Sequence, residues 1–325
     1  MKTINIITTT ISGSIKDWQK MKSLEKEFQK HYFGKVSVFE FDSHKGAKEK
    51  AHELIEKGET IIVSAGGGGT FNSVLEGARL EFGFPEGLRL AFLRKGSADL
   101  IGKVLKIPDD LKEAAKIINN SIKNDKTITS DVIELEIDFQ KYHFIGFGGV
   151  GIFGIVPFFT ENRLKKYYKG LLGYFFGDRG PFLVGANLAV IKHYIDKILR
   201  KKEFIVEVDD KKLPAKQYSS IIIVNGDLGK DFPIAKGMPL GNGDFKVILL
   251  EDLGILKTYQ QIIHIWKGDL EKFKEKLGVQ ILNAKKLTIA PQKPFEYMVN
   301  VDGFLARTQK TIHYKISDSI KLITG

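Results

Sequence analysis

The chain has 325 residues, 43% of them hydrophobic and 27% charged, with 9 prolines and no cysteine. That length predicts two domains, the composition excludes disorder, and the missing cysteine excludes disulfides, thiolate metal sites and cysteine nucleophiles. Fifty Lys and Arg against 39 Asp and Glu give a net charge of +11, favouring anionic partners such as nucleotides, acidic lipid surfaces or nucleic acid.

The first 125 residues alternate regularly. Ile4–Ile7 reads as a strand, Ile15–Tyr32 as a Lys-rich amphipathic helix, Val36–Phe41 as a strand and Ala47–Lys57 as a helix. A third strand, Ile61–Ser64, runs into Gly66-Gly67-Gly68-Gly69 and a helix after Thr70. Leu88–Leu93 is a fourth strand, followed by helical segments at Leu100–Leu105 and Leu111–Ile122. Short apolar runs alternating with helical periodicity predict βαβ units and a parallel sheet, whose ligands bind beyond the carboxyl ends of the strands. From about Ile128 the rhythm changes. Val132–Phe139, Tyr142–Phe147, Phe204–Val208, Ser219–Val224, Phe245–Leu250 and Lys286–Ile289 read as strands joined by turns such as Gly241-Asn242-Gly243-Asp244. The expectation is an α/β domain over 1–127 with a parallel sheet. A mainly antiparallel β domain should follow over 128–325, with a helical insertion near 157–202 and a tail from about 306 returning to the first domain.

Thr8, Thr9 and Thr10 interrupt the N-terminal apolar run, so no secretory leader is expected. Tyr142 to Thr160 is glycine-broken, contains Pro157 and reads as buried strand and turn rather than a membrane span. The expected location is cytoplasmic, with peripheral contact to an anionic membrane left open. For that contact the sequence offers Phe158, Phe159, Tyr167, Tyr168, Tyr174, Phe175, Phe176 and Phe182, interleaved with Arg163, Lys165, Lys166, Lys169, Arg179 and Lys192. A helical hairpin with aromatics inside and lysines in water explains the same pattern.

Four glycines in a row carry an entropic cost that a bare main chain must justify, either by phosphate approach to N–H groups at a helix mouth or by tight packing. The run is no Walker A loop, because no Gly-Lys-Ser/Thr follows. Arg94-Lys95-Gly96-Ser97-Ala98-Asp99, after the fourth strand, combines two cations, a Gly turn and a capping Ser, and suits phosphate oxygens or a solvated turn equally. Gly146-Phe147-Gly148-Gly149-Val150-Gly151 fits G-x-G-x-x-G but lacks the acidic residue some twenty positions on, so it reads as turn and packing glycine. The seven histidines show no ligand spacing.

Together these residues resemble the diacylglycerol kinase catalytic family, which includes bacterial lipid kinases and sphingosine kinases, with NAD kinases as distant relatives. Gly66 to Thr70 with Asn72 is similar to its G-G-D-G-T-x-N segment. Ala91 through Pro108 runs ungapped against its second motif, with Gly96, Ser97 and Asp99 on its Gly, Thr and Asn, and Lys103 on its Arg. Ser12-Gly13, Asn225-Gly226, Gly243-Asp244-Phe245 and Val301-Asp302-Gly303 resemble further family segments in order. The resemblance implies ATP with Mg²⁺, a nucleotide cleft between the two domains, and a lipid or other hydroxyl as acceptor. Ser12, Gly66, Gly67, Gly68, Gly69, Thr70, Asn72, Arg94, Lys95, Gly96 and Ser97 would bind nucleotide, and Asp302 and Asp99 are the catalytic candidates. No metal ligand can be named, and the oligomeric state stays open, a homodimer included. With no RNA- or DNA-binding motif present, nucleic acid is not an expected partner.

Two positions depart from the family. Its central Asp in the glycine turn is Gly68 here, and the Glu after its late V-D-G, the family's base on the acceptor hydroxyl, is Phe304. Neither replacement can take a proton or bind a metal. Two readings therefore follow: a diacylglycerol kinase-like lipid kinase, or an inactive relative that binds nucleotide or lipid for regulation.

Overall fold

The structure is a computed structural model that describes residues 2–10, 22–94, 100–160, 180–199, 202–230, 232–302 and 304–325. It divides into two compact units: Met1–Val132 with Leu240–Asn242 and Ser317–Gly325, and Ile133–Pro239 with Gly243–Ile316.

Unit 1 is built on parallel strands. β1 (Ile4–Thr9) lies between β2 (Val36–Phe41) and β3 (Ile61–Gly66), and β3 pairs with β4 (Arg89–Arg94). β1 and β3 are buried at every position, as strands covered on both faces must be, the polar Asn5, Thr8 and Thr9 of β1 included. β4 pairs in parallel with the last residues of β16 (Ile312–Ile323), Lys321 opposite Arg89. The first residues of β5 (Thr127–Ile137) also belong to unit 1.

The helices of this unit are α1 (Leu24–Gln29), α2 (His44–Glu56), α3 (Gly68–Ala78), α4 (Leu100–Val104) and α5 (Leu111–Lys123). α5 buries Leu111, Ala114, Ala115, Ile118 and Ile122, one face of a 3.6-residue period, and starts on Asp110, whose side chain accepts from the Glu113 N–H at 3.0 Å. α2 and α3 pack closely because Gly77 has no side chain: a Cβ there would sit 2.1 Å from the Lys48 carbonyl oxygen. Of the helix expected over 15–32, Leu24–Gln29 is helical within the described residues, and 11–21 lie outside them.

Unit 2 is antiparallel. One sheet has the order β12 (Val279–Ala284), β11 (Phe245–Glu251), β10 (Tyr218–Val224), β7 (Phe147–Gly151), β14 (Tyr297–Val301), β15 (Phe304–Thr308). The rest of β5 pairs with β6 (Gln140–Phe144), and the first part of β16 pairs with β13 (Lys286–Pro291), which pairs with β8 (Phe204–Val208), itself paired with β9 (Lys211–Lys212). Inward residues of these strands, among them Leu135, Phe144, Val206, Ile223, Val247, Ile289 and Tyr314, form one core. α6 (Ile152–Thr160) packs on α7 (Gly180–Leu199) through Ile155, Val156, Ala189 and Val190, and α8 (Ile255–Lys267) ends on Gly268 in the left-handed region. An α/β unit with a parallel sheet and a mainly antiparallel β unit are thus what the rhythm of the sequence predicted.

The 146–151 glycines, read as turn and packing residues, divide: Gly146 sits in the bend before β7, while Gly148, Gly149 and Gly151 are packing glycines in a strand, Phe147–Gly151, inside the antiparallel sheet and paired with β10 and β14. Glycine is required there by close approach, since a Cβ on Gly149 would lie 2.3 Å from the Ile221 carbonyl oxygen and one on Gly151 2.4 Å from that of Ser219. The expected strand over Val132–Phe139 also shifts, running from Thr127 to Ile137, with Asp138 and Phe139 in a positive-φ turn.

Candidate functional site

β1, β3 and β4 end side by side, Thr8 opposite Ala65 and Gly66 opposite Arg94, and α3 starts directly from the end of β3. The helix opens at Gly68, two residues before the Thr70 start read from sequence, with an extended Gly67 before it that offers no side-chain cap. The first helical bond runs from Phe71 N–H to the Gly67 carbonyl at 3.1 Å, so the N–H groups of Gly68, Gly69 and Thr70 have no intrahelical acceptor. Three such donors at the positive end of an 11-residue helix, beyond the carboxyl ends of parallel strands, suit a phosphate.

The glycines around them serve two ends. Thr70 is buried and its hydroxyl bonds that of Thr9 at 2.7 Å, tying the helix start to β1. A Cβ on Gly66 would fall 2.5 Å from Thr70 Oγ1, and one on Gly69 2.9 Å from Cε1 and Nε2 of His44. Gly66 and Gly69 are therefore packing glycines, and among the described residues no side-chain cap bonds the helix start at Gly67.

His44 carries none of the spacing that flags a functional histidine, and the sequence reading missed it. Its signal is positional: it is the first residue of α2, in the loop after a parallel strand, on the sheet edge where α3 begins. Burial of its packed edge holds the imidazole below its ordinary pKa. Asn72, one turn into α3, has a buried Oδ1 without a hydrogen-bond partner among the described residues, an acceptor still open to a donor. The Arg94 stem passes over α4, where a Gly102 Cβ would meet it at 2.4 Å. Ser12, Lys95, Gly96, Ser97 and Asp99 lie outside the described residues.

In unit 2 two of the family-like segments, at Asn225 and Asp302, converge on the turn at Gly146. The Asp302 carboxylate accepts from the Gly146 N–H at 3.1 Å and the Phe147 N–H at 2.7 Å, and its own N–H donates to the Phe147 carbonyl at 2.8 Å. Asn225 donates from its backbone to Gly146 and from Nδ2 to the Ile145 carbonyl, both at 3.0 Å. Gly146 has to be glycine, because a Cβ would lie 2.1 Å from Asp302 Oδ1. Asp302 itself has φ +45°. Phe304, which the sequence reading sets at the family's Glu, is half-exposed and its ring lies against Tyr142 at 5.2 Å between centroids. Asp227 is tied up as well, accepting from Gly229 and Gly237 N–H groups.

Unit 2 also holds a cavity of about 350 Å³ lined by Phe158, Phe159, Phe204, Tyr218, Phe295, Tyr297 and Met298, with Lys192, Lys202 and Arg307 among its polar groups. Arg307 sits 5.8 Å above the Phe158 ring and Lys202 5.9 Å above that of Phe295. Of the aromatic and basic run read from sequence, Phe158, Phe159 and Lys192 line this cavity. Tyr167, Tyr168, Tyr174, Phe175, Phe176, Arg163, Lys165, Lys166, Lys169 and Arg179, and the Phe182 side chain, lie outside the described residues. Among the described residues no group of three or more His, Asp or Glu could hold a metal, and no helix is long and apolar enough to cross a membrane.

Comparison with known proteins bears on the family and the fold. The family model for the diacylglycerol kinase catalytic domain matches residues 3–130. The fold of the whole chain is that of solved diacylglycerol kinase structures. A diacylglycerol kinase from Bacillus anthracis str. Sterne superposes with a TM-score of 0.65 at 15% identity, covering 100% of this chain and 97% of that one. A further chain from that organism gives 0.67 at 17% identity, covering 100% and 95%. An NAD kinase from Archaeoglobus fulgidus, solved in complex with ATP, gives 0.53 at 10% identity over 100% and 94%. No curated protein matches the sequence. The resemblance to the diacylglycerol kinase catalytic family, with NAD kinases more distant, is thus borne out by sequence over residues 3–130 and by fold throughout.

Proposed function

We propose that the protein is an ATP-dependent phosphotransferase of the diacylglycerol kinase type, passing the γ-phosphoryl group to a lipid hydroxyl on the cytoplasmic side of a membrane. The observation that carries this reading is the uncapped start of α3 at Gly67–Thr70, within a domain whose sequence matches the family. In this reading the Gly68, Gly69 and Thr70 N–H groups hold ATP phosphates, with Ser12, Gly66, Gly67, Asn72, Arg94, Lys95, Gly96 and Ser97 around them, and Asp302 and Asp99 are the available acids. The aromatic lining of the unit 2 cavity supports a lipid acceptor over a sugar, while its cations Lys192 and Lys202 pair with Asp196 and Arg307 with Glu296. The described side chains offer no metal cage, so Mg²⁺ would arrive on the nucleotide's own phosphates, where it neutralises charge.

A second reading rests on Gly68 and Phe304: a family member that binds nucleotide or lipid without turnover. Incubation with ATP, Mg²⁺ and a panel of diacylglycerol, sphingoid and phosphatidylglycerol acceptors separates the two. Product formation removes the non-catalytic reading. Tight ATP binding without product, and product only from the Gly68→Asp, Phe304→Glu double variant, removes the kinase reading.

A further inference from the structure

Most polar side chains on the wall of the unit 2 cavity are already engaged. Lys192 and Lys202 meet Asp196 at 3.2 and 2.9 Å, Arg307 meets Glu296 at 3.7 Å, and the Tyr297 hydroxyl donates to the Lys310 carbonyl. That leaves His193, from α7, and Tyr218, the first residue of β10. His193 is set from behind. Its Nε2 meets Asp252 Oδ2 at 3.1 Å, and that carboxylate also takes bonds from Lys197, Tyr194 and the Gly254 N–H. Burial opposes the Asp252 charge, but those four donors outweigh it, so the carboxyl stays ionised and can only accept. Nε2 is therefore the N–H of the ring, and in the neutral imidazole Nδ1 keeps its lone pair as an acceptor. Tyr218 is the complement. Burial, with the Glu251 charge added, pushes its phenol up to about 12, so it keeps an O–H to donate. Among the described residues neither Nδ1 of His193 nor the Tyr218 hydroxyl has a hydrogen-bond partner.

We infer that His193 and Tyr218 recognise a hydroxyl of a single-chain lipid in this cavity, an inference that rests on the reading of the cavity as the acceptor's site. An acceptor nitrogen and a donor hydroxyl together match an alcohol, which donates its O–H and accepts on its oxygen. An ammonium could use only the first of them and a carboxylate only the second. The cations on the wall already face carboxylates, so an ionic head finds no free partner of opposite sign there. Phe158, Phe204, Phe295 and Met298 supply the apolar wall, the common build of a small-molecule site in which a few polar groups fix orientation. Size limits the chain. An apolar cavity of about 150 Å³ admits benzene. One of about 350 Å³ then admits roughly a dozen carbon-sized atoms, which is one chain rather than two.

Titration calorimetry of the full chain with 1-decanol and with 1-methoxynonane, which match in heavy atoms and differ in the O–H, tests this. The alcohol should bind about three- to tenfold more tightly, the worth of one hydrogen bond. His193→Phe should abolish that preference. His193→Gln should keep it, because its amide can donate to Asp252 while its oxygen accepts from the ligand. Tyr218→Phe should weaken both compounds alike, since both carry an oxygen that accepts. A parent chain that binds the two equally overturns the assignment while leaving the cavity a lipid site. So does a preference that survives in His193→Phe, or affinities for both compounds that are unchanged in Tyr218→Phe. Binding of neither compound to the parent overturns it together with the lipid-acceptor reading.

Discussion

Replacing Gly69 by Ala decides whether the fourth glycine of the turn is there for a ligand or for a side chain. The new Cβ would sit 2.9 Å from two ring atoms of His44, where ordinary contact begins near 3.4 Å, so the ring must retreat by about half an ångström. The ring ends a rotatable side chain with one edge open to solvent, which puts the overpacking cost near 1 kcal/mol, the low end of its range. Opposing it, Ala in place of Gly in a helix gains about 0.5–1 kcal/mol. Gly69→Ala alone should therefore leave stability within about 0.5 kcal/mol of the parent, while the same change in a His44→Ala background should stabilise by nearly the full helical gain. Urea unfolding of the four proteins should give a coupling of about 1 kcal/mol between the sites. Because the Cβ points at His44 rather than along the N–H donors, the double variant should keep its affinity for ATP, read by titration calorimetry. Additive stabilities refute the packing argument, and ATP affinity lost equally in both backgrounds makes Gly69 a phosphate glycine after all.

Gly149→Ala should destabilise unit 2 by about 3 kcal/mol or more, since its Cβ meets the Ile221 carbonyl oxygen, which belongs to a paired strand and cannot swing away; unfolding of the variant near the parent's midpoint would contradict this. Asp252→Ala should cost about 3–5 kcal/mol at neutral pH by stranding Lys197, His193 and Tyr194, which all bond that buried carboxylate. Burial works against the Asp252 charge, but the bonds from His193, Lys197, the Gly254 N–H and Tyr194 outweigh it and hold the carboxyl well below its usual range. A depressed folded pKa means stability that is complete above the unfolded value near 4 and is lost as pH falls further, so the parent–variant gap in acid denaturation curves should narrow only below about pH 4. Asp302→Ala should cost about 1–3 kcal/mol by leaving the Gly146 and Phe147 N–H groups without their acceptor, measured by the same urea assay.

Unit 1 was legible because its signals are local. Runs such as Ile61–Ser64 ending in glycine, and the 3.6-residue spacing of α5, state strand and helix without help from distant residues. β7 was misread because glycine in a strand and glycine in a turn look alike in sequence; carbonyls of β10, some seventy residues on, make the difference. His44 was invisible for a similar reason, since the crossing of α2 over α3 brings it to Gly69. Contacts with Thr70 and His44 likewise make packing positions of Gly66 and Gly69 within a four-glycine run that the sequence presents as one feature. Val301-Asp302-Gly303 could be matched by eye, but that Asp302 holds the Gly146 turn follows only from the pairing of β14 with β7.

That placement of Asp302 sets what a kinase built from this chain could do with the acceptor's proton. Both of its oxygens already accept backbone N–H groups, and Phe304, which the sequence reading sets at the family's Glu, lies against Tyr142. Phosphoryl transfer through a loose transition state depends mostly on positioning and charge neutralisation, so loss of a general base is expected to cost about 10²–10⁴ in rate rather than all of it. Slow turnover by the natural chain should then lack the acidic limb that an ionising carboxylate base gives to a kcat–pH profile. Phe304→Glu should raise kcat and introduce such a limb, with activity falling as pH drops through the pKa of the new carboxyl. If the natural chain shows that limb already and Asp302→Asn abolishes it, Asp302 is the base in spite of its two bonds, and the account of Phe304 as a lost catalytic group is wrong.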